Sequence, residues 1–247
     1  MYKSLSSITL ALVTSICANP PGAQSFISDP YKVNIEDAYY FSLKSSDSAK
    51  LMVSDLTSKG TKSLPFNFNS LGSMVNLRDC LIFAADQGKG SELYSFSLNG
   101  KDTKPQLIKN LVVDGSSSPQ ELTVLGDRVF FTASNGKRRE LYVFDSQNES
   151  VSTVATAHKI TVPADPVHLT VVGKKLFFSA GEAEEVKKGK KTKKVYQRRY
   201  YMLDTEKPSK IHGFPFFDKH TNQKHPVVDG TKLYFKIHEG PERYEIL

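Results

Sequence analysis

Eight positive charges stand close together late in the chain and offer its clearest opportunity for binding chemistry. They are Lys187, Lys188, Lys190, Lys191, Lys193, Lys194, Arg198 and Arg199. Subtracting these 8 charges from the net charge of +7 leaves −1, so the excess positive charge lies in this one segment. Such a cluster could bind a polyanion, an acidic protein surface or a layer of membrane headgroups, and salt would weaken that binding.

A structural interpretation of the same segment stays open. A Lys-rich sequence also suits a long hairpin whose charges keep it solvated without binding anything. Glu182, Glu184 and Glu185 precede the lysines and could pair with them, although exposed pairs of this kind are weak. Nucleic acid is not expected as a partner, because no recognition helix or known nucleic-acid-binding motif accompanies the charge.

Two acidic residues could support catalysis, because a pair of carboxylates can act as general acid and general base. Glu92 and Glu140 each begin a run of the form Glu-Leu-Tyr. Lys50 occupies the same place in an earlier run, which favours a structural role for this position at the start of a strand. No residue is therefore assigned to catalysis.

A third candidate site combines one acidic residue with two histidines. Asp218, His220 and His225 lie near each other, but their spacing is not that of a known zinc site. The sequence also lacks the common phosphate-binding, dinucleotide-binding, metalloprotease and hydrolase motifs. We interpret the three residues as a polar loop, and we expect neither a metal nor a cofactor.

The elements that must position these residues come from a repeat. Five short aromatic-rich segments recur along the chain at near-regular intervals, and the last interval is the longest. The segments are Tyr39-Tyr40-Phe41, Leu81-Ile82-Phe83, Val129-Phe130-Phe131, Leu176-Phe177-Phe178 and Leu233-Tyr234-Phe235. A strand-rich period of about 40–50 residues is typical of a β-propeller or a related stacked repeat.

The third copy shows the repeating unit most clearly. Apolar runs at 122–125 and 129–133 flank Gly126-Asp127, and this pattern predicts a tight hairpin. Residues 140–144 give a third strand and 152–155 a weaker fourth. Each copy is therefore predicted to form four short antiparallel strands.

The step from the aromatic segment to the third strand is constant in three copies. Nine residues lead from Phe41 to Lys50, from Phe83 to Glu92 and from Phe131 to Glu140. A constant step predicts a constant strand register. The fourth copy takes more than twice that step, from Phe178 to Arg199, so an insertion of 12 residues lies within 182–195 and carries the lysines.

A family resemblance follows from these segments. Residues 50–61 read KLMVSDLTSKGT, which resembles the ELWxSDGTxxGT repeat of secreted bacterial and hyalin-like proteins, and 122–133 is similar to its LTxxxGxLFFxA part. The likeness covers nearly all of residues 30–247. The tryptophan of the motif is replaced by Met52, Tyr94, Tyr142 and Tyr201. The resemblance implies a β-propeller-like scaffold with no defined catalytic residues.

The N-terminus indicates export. Lys3 precedes a mildly apolar stretch at 5–18, and a Pro-Pro-Gly break follows, as in a signal peptide cleaved near Ala18 or Ala23. We predict a signal peptide at 1–23 and a secreted, periplasmic or cell-surface location, with no transmembrane segment beyond the signal. Cys80 would then be the only thiol, at a position that suits a small buried hydrophobe.

Residues 24–247 are predicted to form one all-β repeat domain, a five-bladed β-propeller of four-stranded antiparallel blades, closed or open. Its copies span 24–70, 71–118, 119–166, 167–225 and 226–247. Closure would combine the fourth strand of one repeat with the first three of the next, with residues 25–28 supplying the missing strand. The alternative is an incomplete piece of a longer repeat protein.

For function, the resemblance, the export signal and the lack of a catalytic motif favour a non-catalytic binding or surface-scaffold protein. We expect a monomer whose partner is a protein or a polysaccharide, with the Lys-rich segment contacting polyanions. The alternative is a carbohydrate-active hydrolase or lyase, which would need two or three carboxylates converging at the central channel of the propeller.

Overall fold

The computed structural model describes residues 32–100, 103–188, 191–208, 210–218 and 227–234, and for 182–197 and 215–218 it describes the backbone alone. The predicted signal peptide at 1–23 and the strand expected at 25–28 lie outside the described residues, as do Lys190, Phe235 and the end of the chain.

Four antiparallel sheets of four strands follow one another along the chain, each with its strands in sequence order. Sheet 1 consists of β1 (Lys32–Ile35), β2 (Ala38–Lys44), β3 (Ala49–Ser54) and β4 (Lys62–Phe68). Sheet 2 consists of β5 (Ser70–Leu77), β6 (Cys80–Asp86), β7 (Ser91–Ser97) and β8 (Gln106–Lys109). Sheet 3 consists of β9 (Gln120–Leu125), β10 (Arg128–Ser134), β11 (Arg139–Asp145) and β12 (Ser150–Thr153).

The last part of the chain is built on the same plan. Sheet 4 consists of β13 (Ala164–Val172), β14 (Lys175–Lys188), β15 (Lys191–Asp204) and β16 (Ile211–Asp218). A fifth hairpin joins β17 (Val227–Asp229) and β18 (Lys232–Tyr234). The predicted all-β repeat of four-stranded antiparallel units is confirmed.

The aromatic segments form the second strand of each sheet, in a constant register. The last Phe lies opposite one position of the third strand: Phe83 opposite Tyr94, Phe131 opposite Tyr142 and Phe178 opposite Tyr201. The rings in these pairs are stacked, with centroids 6.2, 5.5 and 5.7 Å apart. The predicted constant register is confirmed, and the repeated Phe lies opposite the residues that replace the tryptophan of the motif.

The second strands of sheets 2, 3 and 4 are hydrophobic because they are buried on both faces. Phe131 packs in the apolar cluster between sheets 2 and 3, whereas the adjacent Phe130 packs between sheets 3 and 4. In sheet 4, Phe178 packs against sheet 3 and Phe177 packs with Leu233 of the fifth hairpin. Because successive residues of a strand point to opposite faces, two adjacent aromatics can serve two interfaces.

The sheets pack face to face as the blades of a propeller do. The first strands of successive sheets lie side by side, because β1 contacts β5, β5 contacts β9 and β9 contacts β13. In the described part of the chain, no hydrogen-bonded ladder joins one sheet to another. The arrangement is therefore a series of blades that are held together by side chains and by loop contacts.

Two details of the predicted repeat are wrong. The fourth strand pairs with the third strand of its own repeat in all four complete sheets, so the exchange of a fourth strand between repeats does not occur there. The fourth run of sheet 3 stops at Thr153, whose Oγ1 accepts a hydrogen bond from Thr156 N (3.1 Å) and caps helix α1 (Val154–His158). Threonine is a favoured N-cap residue, so Val154 and Ala155 are helical rather than extended.

A two-residue turn joins the first and second strands of every unit. Its first residue has a positive φ, which glycine tolerates best, and Gly126, Gly173 and Gly230 occupy three of the five turns. Glu36 and Arg78 adopt the same backbone conformation in sheets 1 and 2, with φ values of 53° and 55°. The turn geometry is thus common to all copies, although the residue that fills it varies.

Candidate functional site

The basic segment extends the second hairpin of sheet 4 without disturbing the blade. The β14–β15 ladder runs without a register shift from Lys175 opposite Asp204 to Lys188 opposite Lys191. The Phe178–Tyr201 pair corresponds to the Phe131–Tyr142 pair of sheet 3, and the inserted residues between its two members form added ladder. Six residues in each strand lengthen a hairpin by about 20 Å.

The predicted polyanion-binding residues are distributed along this hairpin. Lys187 and Lys188 end β14, and Lys191, Lys193 and Lys194 lie in the first part of β15. The prediction for Lys190 falls outside the described residues. Arg198 and Arg199 lie further along β15, where the strand returns to the body of sheet 4, and both side chains are half-buried.

Arg198 has a structural counterpart in sheet 3. Its Nη1 lies 3.4 Å from Ser179 O and 3.5 Å from Ser179 Oγ. Arg139 occupies the equivalent position of β11, and its Nη1 donates to Thr132 O (3.0 Å) and Thr132 Oγ1 (3.1 Å). Burial lowers the pKa of Arg139. The structure thus places the Arg198 side chain near Ser179 of its own blade.

Glu92, one of the two candidate catalytic carboxylates, holds a loop in place. Its side chain is only 4% exposed, and its carboxylate accepts hydrogen bonds from Leu111 N (3.2 Å), Ser117 N (3.1 Å) and Ser117 Oγ (2.6 Å). The connection between sheets 2 and 3 is thereby fixed to the start of β7. A buried carboxylate needs hydrogen-bond donors to replace the water that it loses on burial, and Glu92 has three of them.

Glu140 occupies the equivalent position in β11 but has a different environment. Its Oε1 accepts hydrogen bonds from Arg138 Nε (2.9 Å) and Nη2 (2.7 Å), in an exposed ion pair. The two carboxylates both contribute to the electrostatic surroundings of Tyr142, whose pKa is raised first by burial and then by Glu140 and Glu92. The sequence predicts a structural role for the residue that begins the third strand. The hydrogen-bond partners of Glu92 and Glu140 fit that prediction.

The motif turn of sheet 1 is a compact hydrogen-bonded unit. Asp55 Oδ1 accepts hydrogen bonds from Thr57 N (2.9 Å) and Thr57 Oγ1 (2.7 Å), and these bonds lower the pKa of Asp55. Gly60 N donates to Thr57 Oγ1 (2.9 Å), and Thr61 Oγ1 donates to Thr57 O (2.6 Å). A Cβ on Gly60 would overlap the Asp55 carboxylate, which explains why the turn requires glycine there.

Leu56 stands where the SDGT motif has its first glycine. Its φ is 67°, a left-handed conformation that is strained for leucine and free of strain for glycine. The backbone therefore keeps the conformation that the motif implies, although the residue departs from it. Such strain is tolerated because the Asp55 and Thr57 hydrogen bonds hold the turn on both sides of Leu56.

Equivalent aspartates end the third strands of sheets 3 and 4, and sequence reasoning missed them. Asp145 Oδ1 accepts a hydrogen bond from Gln147 N (3.0 Å), and Asp204 Oδ1 accepts one from Glu206 N (3.0 Å). Both repeat the bond between Asp55 and Thr57 N, which is the pattern of an Asx turn. The signal that could have revealed them is a constant offset, because Asp145 follows Phe131 at the same distance along the chain as Asp55 follows Phe41.

These turns divide each sheet into two ends. In an antiparallel meander, the turns after the first and third strands share one end, and the turn after the second strand lies at the other. We call the first the aspartate end, which carries turns 36–37, 78–79, 126–127 and 173–174 and the Asx turns. We call the second the lysine end, which carries turns 45–48, 87–90 and 135–138 and the extended hairpin 182–197.

An ion pair joins sheets 2 and 3 at the aspartate end, and a backbone-to-carboxylate hydrogen bond joins sheets 3 and 4 further along the strands. Arg78 in the turn of sheet 2 donates through Nε to Asp127 Oδ1 in the turn of sheet 3 (3.0 Å), and Gln147 Nε2 donates to Asp127 Oδ2 (2.7 Å). The hydrogen bonds from Arg78 and Gln147 lower the pKa of Asp127. Leu169 N in β13 donates to Glu121 Oε2 in β9 (2.8 Å), which ties sheet 4 to sheet 3. The aspartate ends of sheets 2, 3 and 4 therefore lie on the same side of the molecule.

Metal binding and membrane insertion are two other functions that a chain of this kind could have. No group of three or more His, Cys, Asp and Glu side chains among the described residues could hold a metal ion. His220 and His225, from the predicted polar loop, lie outside those residues, and only the backbone of Asp218 is described. None of the helices that the structure describes is long and apolar enough to cross a membrane.

Comparison with known proteins finds partial structural similarity alone. No protein family and no curated protein matches the chain. The putative TolB from Agrobacterium tumefaciens is 9% identical, with a TM-score of 0.48 over 72% of this chain and 60% of that one. TolB from Acinetobacter baumannii is 13% identical, with a TM-score of 0.45 over 70% of this chain and 50% of that one.

A puromycin-hydrolyzing peptidase from Mycobacterium tuberculosis is also similar, at 13% identity and a TM-score of 0.46 over 72% of this chain and 26% of that one. This chain thus spans 60% or less of the length of each of these three proteins. Identities and TM-scores this low assign neither a family nor a function.

Proposed function

We propose that this chain is an exported, non-catalytic binding or surface-scaffold protein whose contact element is the basic hairpin 182–197. The observation that carries the proposal is the unbroken β14–β15 ladder, which adds the lysines to a blade whose aromatic pair keeps its usual partners. Because the blade keeps its strand register and its aromatic pair, the inserted residues are an extension of the blade, and their charge calls for a role outside the repeat. A polyanion is the partner that their chemistry favours.

Support for a non-catalytic role comes from the partners of the acidic residues. A hydrolytic pair needs two carboxylates that are free to exchange protons with a substrate. Glu92 instead accepts three hydrogen bonds from a loop, and Glu121 accepts the Leu169 amide across a sheet interface. Glu140 is paired with Arg138. Glu92 and Glu121 thus help to hold neighbouring blades together, and Glu140 is paired within its own turn.

We also propose that the chain is related to the ELWxSDGTxxGT repeats. What supports this relationship is the turn of sheet 1, where the side chains or backbone of Ser54, Asp55, Thr57, Gly60 and Thr61 make hydrogen bonds with one another. Each of these residues matches the motif. The proposed export and monomeric state would be tested by N-terminal sequencing of the exported protein and by analytical sizing.

The test of the proposal uses heparin as a model polyanion. In one variant, Lys187, Lys188, Lys190, Lys191, Lys193 and Lys194 are changed to Gln. A matched control changes six lysines that the structure shows to be exposed in or beside sheets 1 and 2: Lys44, Lys50, Lys59, Lys62, Lys104 and Lys109. Both variants lose six positive charges, so any difference between them reports where the charge lies rather than how much there is.

We expect the hairpin variant to lose retention on a heparin column while its thermal unfolding stays unchanged. The control variant is expected to elute at a salt concentration closer to that of the native protein. Equal loss of retention in the two variants would reduce the effect to net charge and overturn the hairpin as the contact element. Turnover of a chromogenic glycoside that a single carboxylate substitution abolishes would overturn the non-catalytic role.

A further inference from the structure

Two exposed lysines occupy the same turn position in neighbouring blades. Lys89 follows Phe83 by six residues, and Lys137 follows Phe131 by six residues. Both side chains are exposed, in the turns that join the second and third strands of sheets 2 and 3. These are the turns that correspond to the base of the extended hairpin in sheet 4.

Side chains beside each lysine fix the turn that presents it. Asp86 Oδ1 accepts hydrogen bonds from Gly88 N (2.7 Å) and Gly90 N (3.1 Å), on either side of Lys89. Asn135 Oδ1 accepts hydrogen bonds from Lys137 N (2.9 Å) and Arg138 N (3.0 Å). Turns held in this way lose little conformational entropy when a ligand binds to them.

In sheets 2 and 3, most acidic residues at this end are engaged within the protein, whereas Asp47 in the turn of sheet 1 is exposed and Glu182, Glu184 and Glu185 lie in the hairpin itself. The Asp86 carboxylate is directed at the backbone of its own turn, Glu92 is buried, and Glu140 is paired with Arg138. Asp114 is exposed on the connection between sheets 2 and 3. The aspartate end carries three further carboxylates where third strands end: Asp55, Asp145 and Asp204.

We infer that Lys89, Lys137 and the basic hairpin form one continuous surface that binds an extended polyanionic chain of the acidic-polysaccharide type. This inference rests on the proposed function of the hairpin. Sheets 2, 3 and 4 are consecutive and point the same way, so their second turns follow one another around the lysine end. An arc of cations across three blades matches a ligand with charges spaced along its length.

The shape of the surface favours a chain over a flat layer of headgroups. The inserted residues carry the hairpin tip about 20 Å beyond the turns of the other blades. A flat anionic surface that touches the tip would leave Lys89 and Lys137 at a distance greater than the Debye length of about 8 Å in physiological salt. A flexible polyanion can follow the hairpin down to the turns and contact both.

The test compares two double variants of the full chain. Lys89→Gln with Lys137→Gln removes the two turn charges from the lysine end. Lys59→Gln with Lys207→Gln removes two exposed charges from the aspartate end and serves as the control. Heparin affinity and its salt dependence are measured by titration, and vesicles containing anionic lipid provide a second arm.

The lysine-end variant is expected to bind heparin roughly 3- to 10-fold more weakly, with a shallower salt dependence. The control should match the native protein, and vesicle binding should not respond to either double variant. Unchanged heparin affinity in the lysine-end variant, while the hairpin variant still loses binding, would overturn this inference and leave the proposed function intact. Loss of vesicle binding in the lysine-end variant would also overturn it, because it would indicate a flat partner. Failure of the native protein to bind heparin would remove the proposed function itself.

Discussion

The aspartate end and the lysine end of the blades are made from the same strands but use charge in opposite ways. At the aspartate end, Asp127 pairs with Arg78 of the neighbouring sheet, and Asp145 accepts from Arg128 Nε (2.9 Å) within its own sheet. At the lysine end, Lys89 and Lys137 are exposed on hydrogen-bonded turns, and the long hairpin adds more lysines.

This difference separates residues that build the repeat from residues that are displayed on it. Charged groups that hold neighbouring parts of the chain recur at fixed offsets, as the Asx turns do. The extended hairpin breaks the repeat in length yet leaves the register of its strands intact. The lysine end is therefore where the chain can change its surface without changing its fold.

The largest expected effect concerns Glu92, the buried carboxylate that holds the connection between sheets 2 and 3. Glu92→Ala would leave Leu111 N, Ser117 N and Ser117 Oγ without their acceptor and should lower the free energy of unfolding by about 2–3 kcal/mol. Urea denaturation measures the change. Glu140→Ala is the control at the equivalent position, and because it removes an exposed ion pair it should cost less than about 1 kcal/mol. An equal loss of unfolding free energy in the two variants would contradict the difference between a buried Glu92 and an exposed Glu140.

A smaller effect is expected from relieving backbone strain at the aspartate end. Leu56→Gly should raise the free energy of unfolding by about 0.5–1 kcal/mol, because a left-handed leucine is strained and the added chain entropy of glycine offsets only part of that strain. Leu56→Ala keeps the Cβ and the strain, so it should not stabilise the protein. If both variants are destabilised alike, the contacts of the leucine side chain outweigh its backbone strain.

The smallest effect is a shift in the titration of one carboxyl group. Arg78→Ala removes a hydrogen-bond donor that lowers the pKa of Asp127, so this pKa should rise toward its ordinary value. The contribution of the lowered pKa to stability is present above the unfolded-state pKa and is lost as the pH falls through the folded-state pKa. Carboxyl NMR titration measures the shift, with Lys59→Ala as the control. An unchanged Asp127 pKa would contradict the contact between sheets.

Much of the fold follows from local sequence pattern. The aromatic segments are strands because two interfaces select hydrophobic residues at adjacent positions, as at Phe130 and Phe131. The nine-residue step predicts the register because a hairpin of constant length places the same residues opposite each other. The position of the insertion could be inferred in the same way, by comparing sheet 4 with the others.

The environments of individual charged residues could not be predicted in this way. Glu92 and Glu140 share a sequence position, yet the loop that packs over Glu92 comes from residues 111–117, outside its own strand pair. Arg198 belongs to the basic segment by sequence, but its place near Ser179 depends on register across the hairpin. The turns at Glu36 and Arg78 have a positive φ, but neither residue is a glycine that would indicate this conformation in the sequence. In each case the deciding partner is distant along the chain, or the residue departs from local preference.

The central claim is that the basic hairpin is an addition to a complete blade and carries the binding function. Deleting residues 184–195 restores the nine-residue step from Phe178 to Arg199 and tests both parts of the claim in one protein. We predict that the shortened chain unfolds in one cooperative transition near the temperature of the native protein, and that it no longer binds heparin. A shortened chain that fails to fold, or that folds and binds heparin as tightly as the native protein, would contradict this account.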